Sequence, residues 1–247
     1  MSKQPHKCGS VALKLTGFPG SVKAEVTSSN TVGYQKLGLS AESYKIGGVQ
    51  FVKTTSAAAN LNELFASSGI PYGTKILFLN PNGSYATYTF IEEAYDEDAD
   101  DFVPGWADGS DYLVTSVSNP GLGFWAFSTT AIDLIQIGQV DDQESRTLSI
   151  PAESYFLFSN VRPKGFNPND ADLGWENLEY GTKILALTPS GSYATYTYIE
   201  EAYDEDADDF VPGWADGADY LVTAPIIAPG EGAWIYSKKP LTLTFNN

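Results

Sequence analysis

This sequence predicts an all-β fold: two tandem antiparallel domains, each a β-sandwich or small barrel, related by internal duplication. The duplication is the first observation. Residues 73–115 align without a gap on residues 181–223, and only five of the 43 positions differ (78/186, 80/188, 82/190, 90/198 and 110/218). Composition is the second. The chain carries 15 Tyr, 13 Phe and 5 Trp beside 23 Gly and 14 Pro, a mixture that suits short strands joined by tight turns. Third, β-prone runs recur between turn signals at the close spacing of an antiparallel sandwich or barrel. With 247 residues and 43% hydrophobic content, two cores of domain size are within reach.

The repeat extends beyond the near-identical block. Ala41-Glu42-Ser43-Tyr44 recurs as Ala152-Glu153-Ser154-Tyr155, and Pro120-Gly121-Leu122-Gly123-Phe124-Trp125 recurs as Pro229-Gly230-Glu231-Gly232-Ala233-Trp234. The offset drifts from 111 to 108 to 109 along the chain, as small loop insertions would make it. Units this long are domains, since solenoid repeats run to roughly 20–50 residues. The expected domains are 25–138 and 139–247, preceded by a segment 1–24, with a polar connection opening at Asp141-Asp142-Gln143.

In chain order, strands are expected at 32–39 and 43–53. Asn60 to Ala66 reads as one short helix. Its counterpart around Asp172 to Leu178 is poorly matched, and Trp175 there is expected to cap the core. Strands at 74–80 and 84–91 flank Asn80-Pro81-Asn82-Gly83, a hairpin turn that Thr188-Pro189-Ser190-Gly191 repeats. Further strands are expected at 111–117, 123–128 and 132–138. Pro-Gly-x-Gly should turn the chain tightly and then bury an aromatic strand, its glycines allowing positive φ and close backbone approach. Trp125 and Trp234 are accordingly expected inside, as structural residues and not as sugar-stacking rings.

The N-terminus reads in two ways. Lys3 and Lys7, the stretch Val11 to Val22, and Val22-Lys23-Ala24 before Glu25 have the order of an export signal and its cleavage site. Alternatively, Val11-Ala12-Leu13-Lys14-Leu15 is a short strand, its apolar and polar residues alternating. The first reading places the protein outside the cell or on its surface, the second in the cytoplasm. One Cys (Cys8) and one His (His6) leave no intrachain disulfide and no conventional zinc site. No apolar run reaches the roughly 20 residues that span a bilayer.

With Ser28-Ser29-Asn30-Thr31-Val32-Gly33-Tyr34-Gln35-Lys36 and the two Pro-Gly-x-Gly-[Phe/Ala]-Trp segments, the chain resembles a group of uncharacterised exported bacterial β-repeat proteins. Their mature chains often open shortly before an Asn-x-Val-Gly-Tyr segment, and their repeats close on a Pro-Gly-x-Gly-aromatic-Trp strand. The resemblance runs from about Glu25 to the C-terminus. It implies export and an all-β repeat architecture, and it brings no activity.

Charge is concentrated. Of the 31 acidic residues, 18 lie in the segments 92–111 and 200–219, which hold no Lys or Arg; the other 13 face 14 Lys and Arg, so the net charge of -17 belongs to these two segments. Such a surface repels phosphate, which argues against nucleic acid and anionic membranes. Each segment is expected to be a long connection, the kind of loop that often carries function. The alternation Asp96-x-Asp98-x-Asp100, followed by Asp101, recurs as Asp204-x-Asp206-x-Asp208 with Asp209, a spacing that could aim several carboxylates at one Ca²⁺. It is not an EF-hand, because Asp101 replaces the turn glycine and Ala107 the bidentate glutamate. The other reading is a solvated acidic face that keeps the protein soluble. Trp106 and Trp214, after Pro-Gly, are expected to anchor the loop on the domain, with ligand contact as the alternative.

The leading functional expectation is a non-catalytic exported protein of surface structure or adhesion, with a glycan or protein partner or self-association. A calcium-dependent carbohydrate-binding module is the alternative. A glycan-processing enzyme comes third: Glu92 with Asp96, or Glu200 with Asp204, could supply a carboxylate pair, but that chemistry needs one acid in an apolar setting.

Overall fold

The computed structural model describes residues 32–246 apart from 53–58, 66–67, 116, 141–142 and 144. The Val11–Leu15 strand and the 22–24 cleavage site of the sequence reading lie outside the described residues, as do His6 and Cys8.

Alternation in β1 (Val32–Leu39) turns Leu37 and Leu39 inward, where both are buried. The single strand expected at 43–53 is instead two, β2 (Ser43–Gly48) and β3 (Phe51–Val52), because Val49 and Gln50 carry the chain from one sheet to the other. The short β4 (Ala59–Asn60) runs into α1 (Leu61–Leu64), the expected helix. Asn60 and Glu63 form a capping box there, each side chain accepting the other's backbone N–H. Next come β5 (Lys75–Leu79), β6 (Tyr85–Asp96), β7 (Asp101–Ala107), β8 (Val117–Ser118), β9 (Gly123–Ser128) and β10 (Ile132–Val140). The expected hairpin pairs Lys75 with Thr89 through Leu79 with Tyr85.

Two main antiparallel sheets result, β2-β9-β5-β6-β7 and β1-β10-β3, with β4 and β8 forming a separate two-stranded pair. Leu37 and Leu134 from the smaller sheet and Ile76, Phe124 and Trp106 from the larger share one buried cluster, so the core lies between the layers. The second half repeats this plan. It runs β11 (Ser145–Ile150), β12 (Ser154–Ser159), β13 (Leu173–Glu176), β14 (Lys183–Leu187), β15 (Tyr193–Asp204), β16 (Asp209–Ala215), β17 (Gly232–Ser237) and β18 (Leu241–Asn246). Its sheets are β12-β17-β14-β15-β16 and β11-β18-β13. The fold is thus all-β, with two duplicated antiparallel domains. An irregular stretch and β13 stand where the first domain has α1. Trp175 on β13 packs against the second core, 5.2 Å from Trp214.

The acidic segments are not the long connections the sequence suggested. In the first, β6 continues to Asp96 and β7 begins at Asp101, leaving only a tight turn at the tip. A bulge between Ile91 and Ala94 breaks the alternation, which is why the strand is hidden in the sequence. Past it, Ala94 is fully buried and Tyr95 pairs with Phe102. The strand expected at 111–117 reduces to bridges at Tyr112 and Leu113, which lie along Tyr95 and Ala107, and to β8. The second domain repeats the bulge between Ile199 and Ala202 and the bridges at Tyr220 and Leu221.

The Pro-Gly-x-Gly segments join the domains. Gly48 donates its N–H to the Gly230 carbonyl at 3.1 Å, and Ser159, the counterpart of Gly48, donates to Gly121, the counterpart of Gly230, at 2.9 Å. Bridges Gly47–Glu231 and Phe158–Leu122 repeat the exchange. Each domain therefore gives the other what it receives, the pattern of an isologous interface. Close approach requires the glycines: a Cβ on Gly232 would lie 2.8 Å from Ile46 Cγ2 and 3.1 Å from the Gly47 carbonyl oxygen, and one on Gly123 2.7 Å from Leu157 Cγ. Ile46 and Leu157 are buried here and belong to neither domain core. An ion pair, Lys45 to Glu231 at 3.0 Å, crosses the joint on one side, where the equivalent positions carry Phe156 and Leu122.

Candidate functional site

The acidic tips use their carboxylates on themselves. Asp96 Oδ1 accepts the N–H groups of Asp98 and Ala99 at 3.0 and 3.3 Å, closing the turn. Asp100 adopts φ 54°, a left-handed conformation that Asp tolerates, and its Oδ1 accepts the Tyr95 hydroxyl at 2.6 Å. That hydrogen bond, with some desolvation, raises the Tyr95 pKa, since ionisation would set a phenolate beside a carboxylate. Asp101 Oδ1 accepts the Phe102 N–H. Asp108 caps the next turn through the N–H groups of Ser110 and Tyr112. Asp204, Asp208, Asp209 and Asp216 repeat each role. Asp98 and Asp206 are exposed. Among the described residues, no group of three or more His, Cys, Asp or Glu side chains is placed to hold a metal ion. The alternation is also the spacing of a capped hairpin turn, in which Asp96 and Asp204 accept backbone N–H groups. Melting curves in millimolar Ca²⁺ and in chelator are expected to coincide, whereas Asp96→Ala with Asp204→Ala should lower the melting temperature by about 2–4 °C. A rise with calcium, abolished by Asp98→Asn with Asp206→Asn, would establish the cation reading instead.

Trp106 and Trp214 are buried where these segments enter the domain cores, so neither ring presents a surface to solvent in this structure. They are 0% and 1% exposed, packed edge-on or tilted against Phe90 and Phe65 in one core and Tyr198 and Trp175 in the other. Their backbones are held by Asn62 and Asn169. Each asparagine Oδ1 accepts the Trp N–H, and each Nδ2 donates to the Trp carbonyl and to the Val114 or Val222 carbonyl.

Trp125 and Trp234, which the sequence reading placed inside, are instead half-buried on an outer face. In β9, Phe124 and Ala126 face the core, so Trp125 and Phe127 take the outer face. Register brings Tyr44 opposite Phe127, their rings 4.9 Å apart. Tyr44 meets Trp125 edge-on at 6.2 Å and 88°. In the second domain Tyr155 meets Tyr236 at 5.1 Å and Trp234 edge-on at 6.2 Å and 84°. Across the joint, Trp125 and Trp234 lie 6.5 Å apart, so the two clusters form one face. Tyr44 and Tyr155 are 52% and 51% exposed, and both tryptophans are half-buried. Trp234 Nε1 donates to the Tyr193 hydroxyl at 3.2 Å, which extends the face toward the β14–β15 hairpin.

A signal for this face exists in the sequence. Gly-Phe-Trp-Ala-Phe-Ser is apolar on both sides, whereas an antiparallel strand with one solvated side alternates. The recurrence of Tyr44 as Tyr155 marks the same face.

Compared with known proteins, the chain matches no family model, no curated protein and no solved structure. No helix among the described residues is long and apolar enough to cross a membrane.

Proposed function

We propose that this chain is a non-catalytic, exported binding protein of the adhesion type, and that it engages its ligand on the aromatic face shared by the two domains. One observation carries the reading: six rings from both domains, Tyr44, Trp125, Phe127, Tyr155, Trp234 and Tyr236, form a continuous contact network that is half-buried or exposed. Apolar patches that persist on a soluble surface mark interaction sites, and aromatic rings dominate binding energy at such sites. Packing holds these rings, so little conformational freedom remains to be lost on binding. Export rests on the resemblance carried by residues 28–36 and the Pro-Gly-x-Gly-[Phe/Ala]-Trp segments. The carboxylates offer no support for hydrolysis. Glu92 and Glu200 are exposed, and Asp96 and Asp204 cap turns, so neither pair holds an acid in apolar surroundings.

Beads coated with the full chain should adhere to at least one of a panel of surfaces: bacterial cell walls, plant cell walls, mucin and collagen. Tyr44→Ala with Tyr155→Ala, at the most exposed rings of the face, should release them. Adhesion that survives the double substitution, or none on any surface, would end the proposal.

A further inference from the structure

Resting on that reading of the face, we infer that its ligand is an uncharged polysaccharide whose sugar rings stack on both halves. Charge is the first argument. The outer-face positions of β2, β9, β5 and the Tyr85–Thr89 part of β6 follow from the register: Tyr44 with Phe127, Phe127 with Lys75 and then Thr89, Trp125 with Leu77 and then Thr87, and Leu79 with Tyr85. None is a carboxylate. The equivalent positions of the second domain repeat the pattern through Lys183, Leu185, Thr195 and Tyr193. A cationic ligand would find no counter-charge on these positions and would meet Lys75 and Lys183, while a polyanion would have only those two lysines to set against a chain of net charge -17. The neutral ligand is the one this field neither attracts nor opposes.

Chemistry is the second argument. Tyrosine and tryptophan offer an apolar ring with a polar tip. Beside them stand the hydroxyls of Thr87 and Thr195, both exposed. A surface that is apolar in patches and hydrogen-bonding at its edges complements a pyranose, whose C–H face is apolar and whose rim is hydroxyl.

Repetition is the third. Tyr44–Trp125 and Tyr155–Trp234 have nearly the same geometry, 6.2 Å at 88° and 6.2 Å at 84°, and they adjoin at the Trp125–Trp234 contact. Two matched subsites side by side suit a ligand that itself repeats, and occupying both makes the second binding step intramolecular.

The test is affinity electrophoresis of the full chain through gels containing glucomannan, xyloglucan, galactomannan, alginate or heparin, with pull-down on cellulose and chitin. At least one neutral polymer should retard the protein, and retardation should persist in 1 M NaCl because no ion pair is involved. Trp125→Ala and Trp234→Ala should each weaken binding about tenfold. Because both tryptophans adjoin the joint, Tyr44→Ala with Tyr155→Ala serves as the second variant, checked by its melting curve; it should abolish retardation with the fold intact. Retardation by alginate or heparin alone overturns the inference, as does neutral binding that ignores the tyrosines. Face-dependent bead adhesion to collagen without any polysaccharide binding keeps the adhesion reading and overturns this one. So does concentration-dependent dimerisation that the double substitution removes, since the occupant is then a second copy of the chain.

Discussion

Asn62→Ala and Asn169→Ala are each expected to destabilise their own domain by about 3 kcal/mol, because each strips three hydrogen bonds from part-buried backbone and leaves the Trp106 or Trp214 carbonyl with only the Val114 or Val222 N–H. The lost contacts are specific: the Trp106 N–H at 2.7 Å and the Trp106 and Val114 carbonyls at 3.2 and 3.1 Å, or the Trp214 N–H at 2.9 Å and the Trp214 and Val222 carbonyls at 2.9 and 3.0 Å. They fix the last residues of β7 and β16 where Trp106 and Trp214 enter the cores. A domain of this size loses roughly 4–8 °C of melting temperature per kcal/mol, so calorimetry should register a drop of more than about 10 °C. Asn→Asp keeps one acceptor but sets a carboxylate against two carbonyls, and should cost at least as much. A drop within about 2 °C for either alanine variant would mean that water replaces the side chain without penalty.

Gly123→Val should open the joint while leaving both sandwiches folded. Its Cβ would lie 2.7 Å from Leu157 Cγ, 2.9 Å from the Phe158 carbonyl oxygen and 3.0 Å from the Leu157 carbonyl carbon, all in the other domain. Two of those neighbours are backbone of β12, so no rotamer change relieves the clash. Overpacking of this kind costs about 1–3 kcal/mol, and a joint built on a few hydrogen bonds, Ile46 and Leu157 has little to offset it. Small-angle scattering should show a larger radius of gyration, and proteases should cut faster between Val140 and Ser145, with the far-ultraviolet spectrum unchanged. Gly232→Val, at the reciprocal position, should also open the joint, through Ile46 Cγ2 at 2.8 Å and the Gly47 carbonyl oxygen at 3.1 Å, and should in addition destabilise the second domain, because its Cβ would lie 2.5 Å from the Phe158 carbonyl oxygen of its own sheet. An unchanged radius in both variants would mean that the domains are held by contacts other than the glycine approach.

How far the residues themselves announced this structure differs from element to element. The expectations at 32–39 and 123–128 coincide with β1 and β9, because alternation and Gly boundaries are local signals. The capping box at Asn60 and Glu63 is local too. Charge misled at 92–101: a bulge disrupts the period of two, and acidic side chains on a protruding hairpin look like a loop when composition is read without pairing. The asparagine clamp was hidden for another reason. Asn62 comes from α1 and Asn169 from an irregular stretch, so the duplicated role has no duplicated sequence. Trp125 and Trp234 were assigned to the wrong face because β9 is apolar on both sides, and only the identity of the core can say which side is which. The partner of Pro-Gly-x-Gly was beyond local reading, since the backbone it approaches belongs to the other domain.

The reciprocal joint also sets a limit on growth. Gly48 reaches Gly230 while Ser159 reaches Gly121, so every donor and acceptor in the exchange is already engaged once two units are present. A solenoid leaves an open end that the next repeat can extend. Here a third copy appended to the chain would meet no vacant half-joint and would hang as an unattached module, so amplification of the ancestral unit reaches structural saturation at two.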